Sequence, residues 1–166
     1  MILNIKQKVF SWSDKFTIKD ALENDRYYVE GELFSWGHKL HVFNMENQEV
    51  AFIKQEIFTL LPRFEVYIEE RLIVEVKREF TFFKPKYILQ GTDWTVDVDF
   101  WAHHYEITSP SGSIASVSKA YFTWGDSYQI DIADVADEIL VVATILAIDC
   151  VLESQQSSAA ASSVIM

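Results

Sequence analysis

A basic and aromatic stretch between residues 77 and 86 is the part of this sequence best suited to bind a charged ligand. It interleaves four basic side chains with three phenylalanines: Lys77, Arg78, Lys84 and Lys86 with Phe80, Phe82 and Phe83. Clustered basic residues attract anionic lipid headgroups, and neighbouring aromatic rings insert beside them. The alternative is that the rings point inward around a solvated turn, since strand alternation sends Phe80 and Phe82 to one face. Nucleic acid requires a longer basic track, so it is not an expected partner.

A second group of candidate residues combines histidines with carboxylates. Its members are His38, His41, His103 and His104 with Asp97, Asp99 and Glu106. A metal site needs three or four such ligands to converge. His38 and His103 occupy equivalent positions of an internal repeat, which indicates opposite sides of the fold and favours turn hydrogen bonds. The same group, between residues 97 and 104, supports the alternative function of an enzyme or small-ligand receptor with a surface cleft.

Further carboxylates lie near or inside the last helix. Asp126, Asp131, Asp134 and Asp137 precede it, but they lack the glycine and the final glutamate of a calcium loop. We expect them to cap the helix and aid solubility. Asp149 falls within the apolar helix, where a carboxylate must pair or keep its proton, and Lys54 or Lys119 is its expected partner. The neighbouring Cys150 is expected to be a small core residue.

Period-two alternation indicates about twelve short strands. They are predicted at 3–9, 16–19, 27–35, 39–43, 50–57, 63–68, 72–80, 86–90, 94–99, 105–109, 114–122 and 127–132. Turn residues such as Gly37, Pro62, Gly91 and Gly125 separate them. The spacing is typical of strands joined by hairpins.

Two repeats underlie this pattern. Residues 50–68 realign without a gap on residues 114–132, and the preceding hairpin repeats in the same order. Short aromatic motifs also recur, as Phe-Ser-Trp at 10–12 and 34–36, Phe-Thr-Leu at 58–60, Phe-Thr-Phe at 80–82 and Phe-Thr-Trp at 122–124. We interpret these motifs as strand-end aromatics that close one end of a barrel or sandwich; an aromatic ligand site is the alternative.

One helix is predicted, at about 137–153. Ile139 to Leu152 is apolar except at Thr144 and Asp149, so the helix has no polar face and must be buried on nearly every side. It falls short of the ~20 apolar residues that cross a bilayer, so no transmembrane segment is expected, with a membrane anchor as the alternative. Residues 154–166 are rich in Ser, Gln and Ala and are predicted to form a disordered tail after a single domain at 1–153.

The composition is that of an ordinary globular protein with an uneven charge. The 166 residues carry a formal net charge of −11, and residues after 90 contain a single basic residue, Lys119. This excess of acid excludes a polyanion site in the second half. With Cys150 as the lone cysteine and no apolar leader, a cytoplasmic location is expected.

Strands and helix together predict the fold, which is mainly β. About twelve antiparallel strands lose their exposed edges by closing into a barrel. A barrel of that size is too wide for its wall side chains to fill, and the apolar helix needs to be enclosed. The economical solution is a closed antiparallel barrel wrapped around a central C-terminal helix.

Several motifs also resemble a known family. They are Phe34-Ser-Trp-Gly-His-Lys-Leu40, Phe80-Thr-Phe-Phe-Lys-Pro-Lys-Tyr87, Asp99-Phe-Trp-Ala-His103, Phe122-Thr-Trp-Gly-Asp126 and Leu146-Ala-Ile-Asp-Cys-Val151. In this order, within residues 1–153, they resemble the bacterial branch of the LURP-one-related family. That family groups with tubby C-terminal domains and phospholipid scramblases, so the resemblance implies a twelve-stranded barrel around a hydrophobic helix. Tubby domains bind phosphoinositides through specific basic residues, but no motif here matches those positions and no binding residue is carried over.

The sequence therefore predicts a non-enzymatic binding or scaffold domain. No Walker loop, H-E-x-x-H, G-x-S-x-G or C-x-x-C motif occurs, so no catalytic residue, resident metal or cofactor is expected. The expected partner is an anionic lipid headgroup, held by Lys77, Arg78, Lys84 and Lys86, or another protein.

Overall fold

The chain folds into twelve strands followed by one helix. The computed structural model describes residues 1–5, 15–32, 35–79, 81, 86–99, 104–120, 127–134 and 136–164, with side chains except at 119–120 and 155–164. The strands are β1 (Ile2–Ile5), β2 (Lys15–Asp20), β3 (Asp25–Gly31), β4 (Lys39–Asn44), β5 (Glu49–Gln55), β6 (Arg63–Ile68), β7 (Arg71–Glu79), β8 (Lys86–Gln90), β9 (Thr95–Asp99), β10 (His104–Ser109), β11 (Gly112–Ala120) and β12 (Ser127–Ile132). The helix, α1, spans Glu138–Val164.

Consecutive strands pair antiparallel and close into a barrel. β1 pairs with β2 on one side and with β12 on the other, where Leu3 lies opposite Ile130. Closure gives both backbone edges of every strand a neighbour, which an open sheet of this size could not do. The predicted barrel of about twelve strands is confirmed.

Alternation along each strand separates the core from the outer wall. On β6, Phe64 and Val66 point inward and are fully buried, and on β7 Val74 and Val76 do the same. Their neighbours in sequence are more exposed and mostly charged or aromatic. A shift of one residue would exchange the two faces, so this pattern fixes the register of the wall.

The helix runs through the barrel and fills it. Its N-terminus is capped by Asp137, whose carboxylate accepts a hydrogen bond from the backbone N–H of Leu140 at 3.2 Å. Glu138 accepts hydrogen bonds from Arg26 at 2.9 Å and from Tyr27 at 3.0 Å, which ties the first turn to the wall. Side chains from Val141 to Ile148 are fully buried in one cluster with the inward residues of the strands.

The helix is longer than predicted. The expected end near residue 153 is wrong, because α1 continues to Val164. Residues 154–164 contain Ala, Gln and Ser but no Gly or Pro, so nothing in them interrupts the helical hydrogen bonds. The division into a domain at 1–153 and a tail at 154–166 stays a prediction. In the described part of the chain, no helix is both long enough and apolar enough to cross a membrane.

The two ends of the barrel are named by the direction of the strands and of the helix. Because strands alternate in direction, every odd-numbered strand finishes at the same end, and there the following even-numbered strand begins. We call this the exit end, since α1 travels towards it. We call the opposite end, where β12 finishes and α1 begins, the start end.

Candidate functional site

The filled interior directs any ligand to the outer wall or to the ends of the barrel. The most unusual group inside is Asp149, whose carboxylate accepts a hydrogen bond from the hydroxyl of Tyr105 at 3.1 Å. Burial raises the pKa of Asp149 to about 7, and the hydrogen bond from Tyr105 opposes this shift only in part. Burial also raises the pKa of the Cys150 thiol well above its usual value, which makes it an unreactive core residue.

The prediction that Lys54 is the partner of Asp149 is wrong. Lys54 shares the outward face of β5 with Phe52, and its amine lies 3.2 Å from Glu65 on the outer wall. Successive side chains of a strand point to opposite faces, so Lys54 points outward because its neighbour Ile53 points into the interior. The side chain of Lys119 lies outside the described residues. The partner of Asp149 is Tyr105, which was not predicted from the sequence, in place of the expected lysine.

Thr144 presents a simpler test of the interior. Its hydroxyl oxygen is buried and has no hydrogen-bond partner among the described residues. Replacing Thr144 with Val keeps the shape and removes an unpaired polar group, so stability should rise by about 1–2 kcal/mol. Urea unfolding of both proteins at one pH would measure this. Equal or lower stability for T144V would show that the hydroxyl is satisfied.

The basic stretch is only partly brought together. Lys77 and Lys86 lie on the outer wall near the exit end, where Lys77 donates to Gln90 at 3.0 Å and Lys86 lies 3.2 Å from Glu79. Arg78 follows the inward alternation of β7, opposite the buried Tyr87, and makes no hydrogen bond or ion pair with another described residue. Lys84, Phe80, Phe82 and Phe83 lie outside the described residues. Headgroup binding by this stretch stays a prediction.

Large apolar side chains project from two connections at the exit end. Trp36 is 83% exposed, Phe58 94% and Leu60 101%, which means that they stand clear of the rest of the protein. Phe58 has a φ of 65°, a left-handed conformation that is uncommon for a bulky residue. Their exposure contradicts the prediction that the aromatic motifs close this end, as far as those motifs are described. The remaining motif residues, at 10–12, 34, 80, 82 and 122–124, lie outside the described part.

These two connections pack against each other. The backbone N–H of Gln55 donates to the carbonyl of His38 at 2.8 Å, and the backbone N–H of His38 donates to the side chain of Gln55 at 3.1 Å. The β5–β6 connection is also closed by a hydrogen bond from the N–H of Glu56 to the carbonyl of Arg63 at 3.0 Å. The three apolar tips therefore sit on braced loops that begin and end in the barrel wall.

Charge is distributed unequally between the ends. Seven basic and eight acidic side chains lie within two residues of the described strand ends at the exit end, so they nearly balance there: Lys15, Lys39, Lys54, Arg63, Lys77, Arg78 and Lys86 against Glu30, Glu32, Glu56, Glu65, Glu79, Asp97, Asp99 and Glu106. Acidic side chains dominate the start end, at Asp20, Glu23, Asp25, Glu46, Glu49, Glu69, Glu70, Asp93, Asp131, Asp134, Asp137 and Glu138. The basic residues described at the start end are Lys19, Arg26 and Arg71. An anionic surface would therefore repel the start end and tolerate the exit end.

The histidine and carboxylate group does not form a cleft where it is described. Asp97 and Asp99 lie on the exposed face of β9, opposite Glu106 and His104 of β10. His104 lies 3.5 Å from Glu106. His103 lies outside the described residues, so the enzyme or receptor hypothesis stays a prediction.

His38, in the connection before β4, and His41, on β4, have different environments. Burial lowers the pKa of His38, which favours its neutral form. Burial also lowers the pKa of His41, but hydrogen bonds to Glu49 at 2.6 Å and Glu32 at 3.0 Å outweigh burial and raise it overall. β4 and β10 are six strands apart around the barrel, which keeps the described histidines of the two strands from converging.

The aspartates near the start of α1 have structural partners. The amino group of Met1 lies 3.7 Å from both Asp131 and Asp134, and Asp137 caps the helix. Asp126 lies outside the described residues. The predicted capping role therefore holds for Asp137, whereas Asp131 and Asp134 contact the amino group of Met1 instead.

A group of three glutamates also lacks the character of a metal site. Oxygens of Glu56, Glu65 and Glu75 lie within 4.8 Å of one another on the outer wall. Arg63 contacts Glu56 at 3.1 Å and Glu75 at 3.8 Å, and Lys54 contacts Glu65. The cations already neutralise the carboxylates, so the group is a surface ion-pair network.

A row of aromatic rings, which was not predicted from the sequence, lies on the outer wall of β3 to β6. The signal was present, because Tyr28, Phe43, Phe52 and Tyr67 occupy the outward positions of strands whose inward positions are already apolar. Beside this row lies a groove of about 670 Å³ on β5, β6 and the β6–β7 turn.

A closed antiparallel barrel filled by its own C-terminal helix defines the class of this protein. The chain belongs to the LURP-one-related family, whose model matches residues 1–149. It is similar to the uncharacterised protein YxjI of Bacillus subtilis (strain 168), with 36% identity over 154 residues that cover 93% of this chain and 95% of YxjI. An X-ray structure of a protein from Arabidopsis thaliana has a similar fold, with a TM-score of 0.63, 14% identity and coverage of 90% of this chain and 91% of that one.

Proposed function

We propose that this protein is a non-enzymatic binding domain that docks its exit end onto a lipid surface. The observation that carries the proposal is the projection of Trp36, Phe58 and Leu60 from braced loops at that end. Side chains of these types partition favourably into the interface between lipid headgroups and acyl chains. A protein partner would more commonly meet a continuous apolar patch than isolated, fully exposed tips.

The charges support the same orientation. Arg78 lies at the exit end without a described acidic partner, and Lys86 is exposed nearby. With the acidic start end turned away, these side chains can approach anionic headgroups. The formal net charge of −11 opposes long-range attraction to an anionic membrane. Apolar insertion must therefore supply most of the affinity.

The test is co-sedimentation with phosphatidylcholine vesicles, with and without phosphatidylserine. Replacing Phe58 and Leu60 together with Ser should weaken binding to both vesicle types at least tenfold, because each side chain loses about 1 kcal/mol or more of burial in lipid. Replacing Arg78 and Lys86 together with Gln should remove only the increase that phosphatidylserine produces.

Leu22 provides a matched control. It is 81% exposed but lies in the β2–β3 turn at the start end. Leu22→Ser should leave vesicle binding unchanged. Absence of wild-type binding to both vesicle types, or an equal loss in the Leu22 and Phe58/Leu60 variants, would contradict the proposal.

A further inference from the structure

A row of rings on the outer wall leads to a second candidate site, independent of the exit end. Tyr28 stacks on Phe43 with centroids 5.0 Å apart, His41 lies 4.8 Å from Phe52, and Phe52 lies 6.0 Å from Tyr67. Cross-strand pairs of this kind stabilise a sheet, which accounts for the row itself. They do not account for the groove in which the row ends.

The groove has the size and walls of a small-ligand site. Its volume of about 670 Å³ falls within the range of about 300–1,000 Å³ typical of such sites. The rings of Phe52 and Tyr67 form one wall and are tilted by 41° to each other. The groove is also lined by Lys54, Glu49, Glu69 and Glu70.

Carboxylates surround these rings. Glu49 is hydrogen-bonded to His41 at 2.6 Å and Glu69 to Arg71 at 2.9 Å, whereas Glu70 makes no hydrogen bond or ion pair with another described residue. Glu69 and Glu70 occupy the two-residue turn between β6 and β7, with φ values of 49° and 61°. Turns with two positive φ angles favour Asn-Gly. This turn has two glutamates in those positions, and they bring two carboxylates to the rim of the groove.

The ring of Tyr67 already accepts a cation. The amine of Lys54 lies 5.6 Å from the ring centroid of Tyr67, within the distance for a cation–π interaction. The charge of Lys54 is balanced by Glu65 at 3.2 Å, so it does not neutralise the carboxylates at the turn. An aromatic wall with an acidic rim attracts positive charge and repels anions.

We propose that this groove binds a small organic cation that carries an alkylated ammonium group. The methyl groups of the cation would contact Phe52 and Tyr67, while Glu69 and Glu70 face its charge.

Choline and dimethylbutanol, its uncharged carbon isostere, form the sharpest pair of probes. Titrations followed by protein NMR should show choline binding about tenfold more tightly than dimethylbutanol, which corresponds to a cation–π contribution of about 1.4 kcal/mol. Equal affinity of the two probes, or no shift with choline at tens of millimolar, would overturn the proposal.

Variants locate the site on the wall. Tyr67→Leu and Glu70→Gln should each weaken choline binding several-fold, and Phe43→Leu, which changes a ring of the same row outside the groove, should not. Glu70 is exposed, so E70Q tests the site even if Y67L fails to fold. Choline binding that survives E70Q unchanged, or that falls equally in F43L, would place the cation elsewhere. Phosphatidylcholine carries the trimethylammonium group of choline, so E70Q and the Phe58/Leu60 variant are both measured in both assays. E70Q should weaken choline binding alone and the Phe58/Leu60 variant vesicle binding alone, which lets the two proposals fail independently.

Discussion

Replacing Asp149 with Asn should stabilise the folded protein by about 3 kcal/mol at pH 8 and by much less at pH 5. The pKa of Asp149 is about 7 in the folded state against 3.8 for an ordinary aspartate. Between these values the folded state keeps the proton that the unfolded state has lost, so stability falls as pH rises. The loss approaches about 4 kcal/mol once both states are ionised, at ~1.4 kcal/mol for each pKa unit.

The asparagine variant removes this ionisation but keeps the hydrogen bond. Its side-chain carbonyl can accept from the Tyr105 hydroxyl as the carboxylate does at 3.1 Å. Its amide adds a donor that needs a partner, which costs about 1 kcal/mol and leaves the net gain of about 3.

Urea unfolding of wild type and D149N at intervals between about pH 5 and pH 8 measures the effect. The informative quantity is the difference between the two proteins, since the other titrating groups are common to both. A difference that does not change with pH would show that Asp149 ionises normally inside the barrel. Tyr105→Phe is the complementary variant: it removes the hydrogen bond that lowers the pKa of Asp149, so it should destabilise more at pH 8 than at pH 5.

The architecture was predictable because its signals are local. Alternation places Ser127–Ile132 at the predicted boundaries, and β5 lies at Glu49–Gln55 where 50–57 was predicted. The helix was predictable because an apolar run with no polar face has to be enclosed. Its true end was not, because the prediction near residue 153 followed the end of the apolar run at Leu152, whereas the helix propensity of residues 154–164 carries α1 further.

The partners of individual side chains depend on geometry that no local pattern contains. Tyr105 reaches Asp149 only because of the rotation of α1 inside the barrel and the register of β10. Phe58 and Leu60 belong to a motif that resembles a strand-end closure, and only their exposure in the structure, on a loop that is left-handed at Phe58, shows that the side chains turn outward. The outer aromatic row could have been found from sequence, since Phe52 and Tyr67 alternate with Ile53 and Val66, which already supply the core.

A second large effect is expected at Gly91, in the turn that follows β8. Its φ of 103° is one that other residues rarely adopt, and a Cβ added there would lie 2.1 Å from the carbonyl oxygen of Ile73. The obstacle is backbone, at the bulge that β7 forms against β6 between Leu72 and Val74, and backbone cannot move aside as the end of a flexible side chain would. Gly91→Ala should therefore destabilise the protein by more than about 3 kcal/mol, combining the cost of the positive φ with a displaced strand.

Thermal unfolding of Gly91→Ala beside Gly112→Ala separates the two causes. Gly112 also has a positive φ, 135°, but an added Cβ would meet nothing within 4 Å. Gly112→Ala should lose only about 1–2 kcal/mol from backbone strain. For a domain of this size, the loss of about 3 kcal/mol in Gly91→Ala lowers the melting temperature by about 10 °C. If the two variants melted at the same temperature, the close approach between Gly91 and Ile73 would contribute nothing, and the β7–β8 wall would have to relax without cost around the new methyl group.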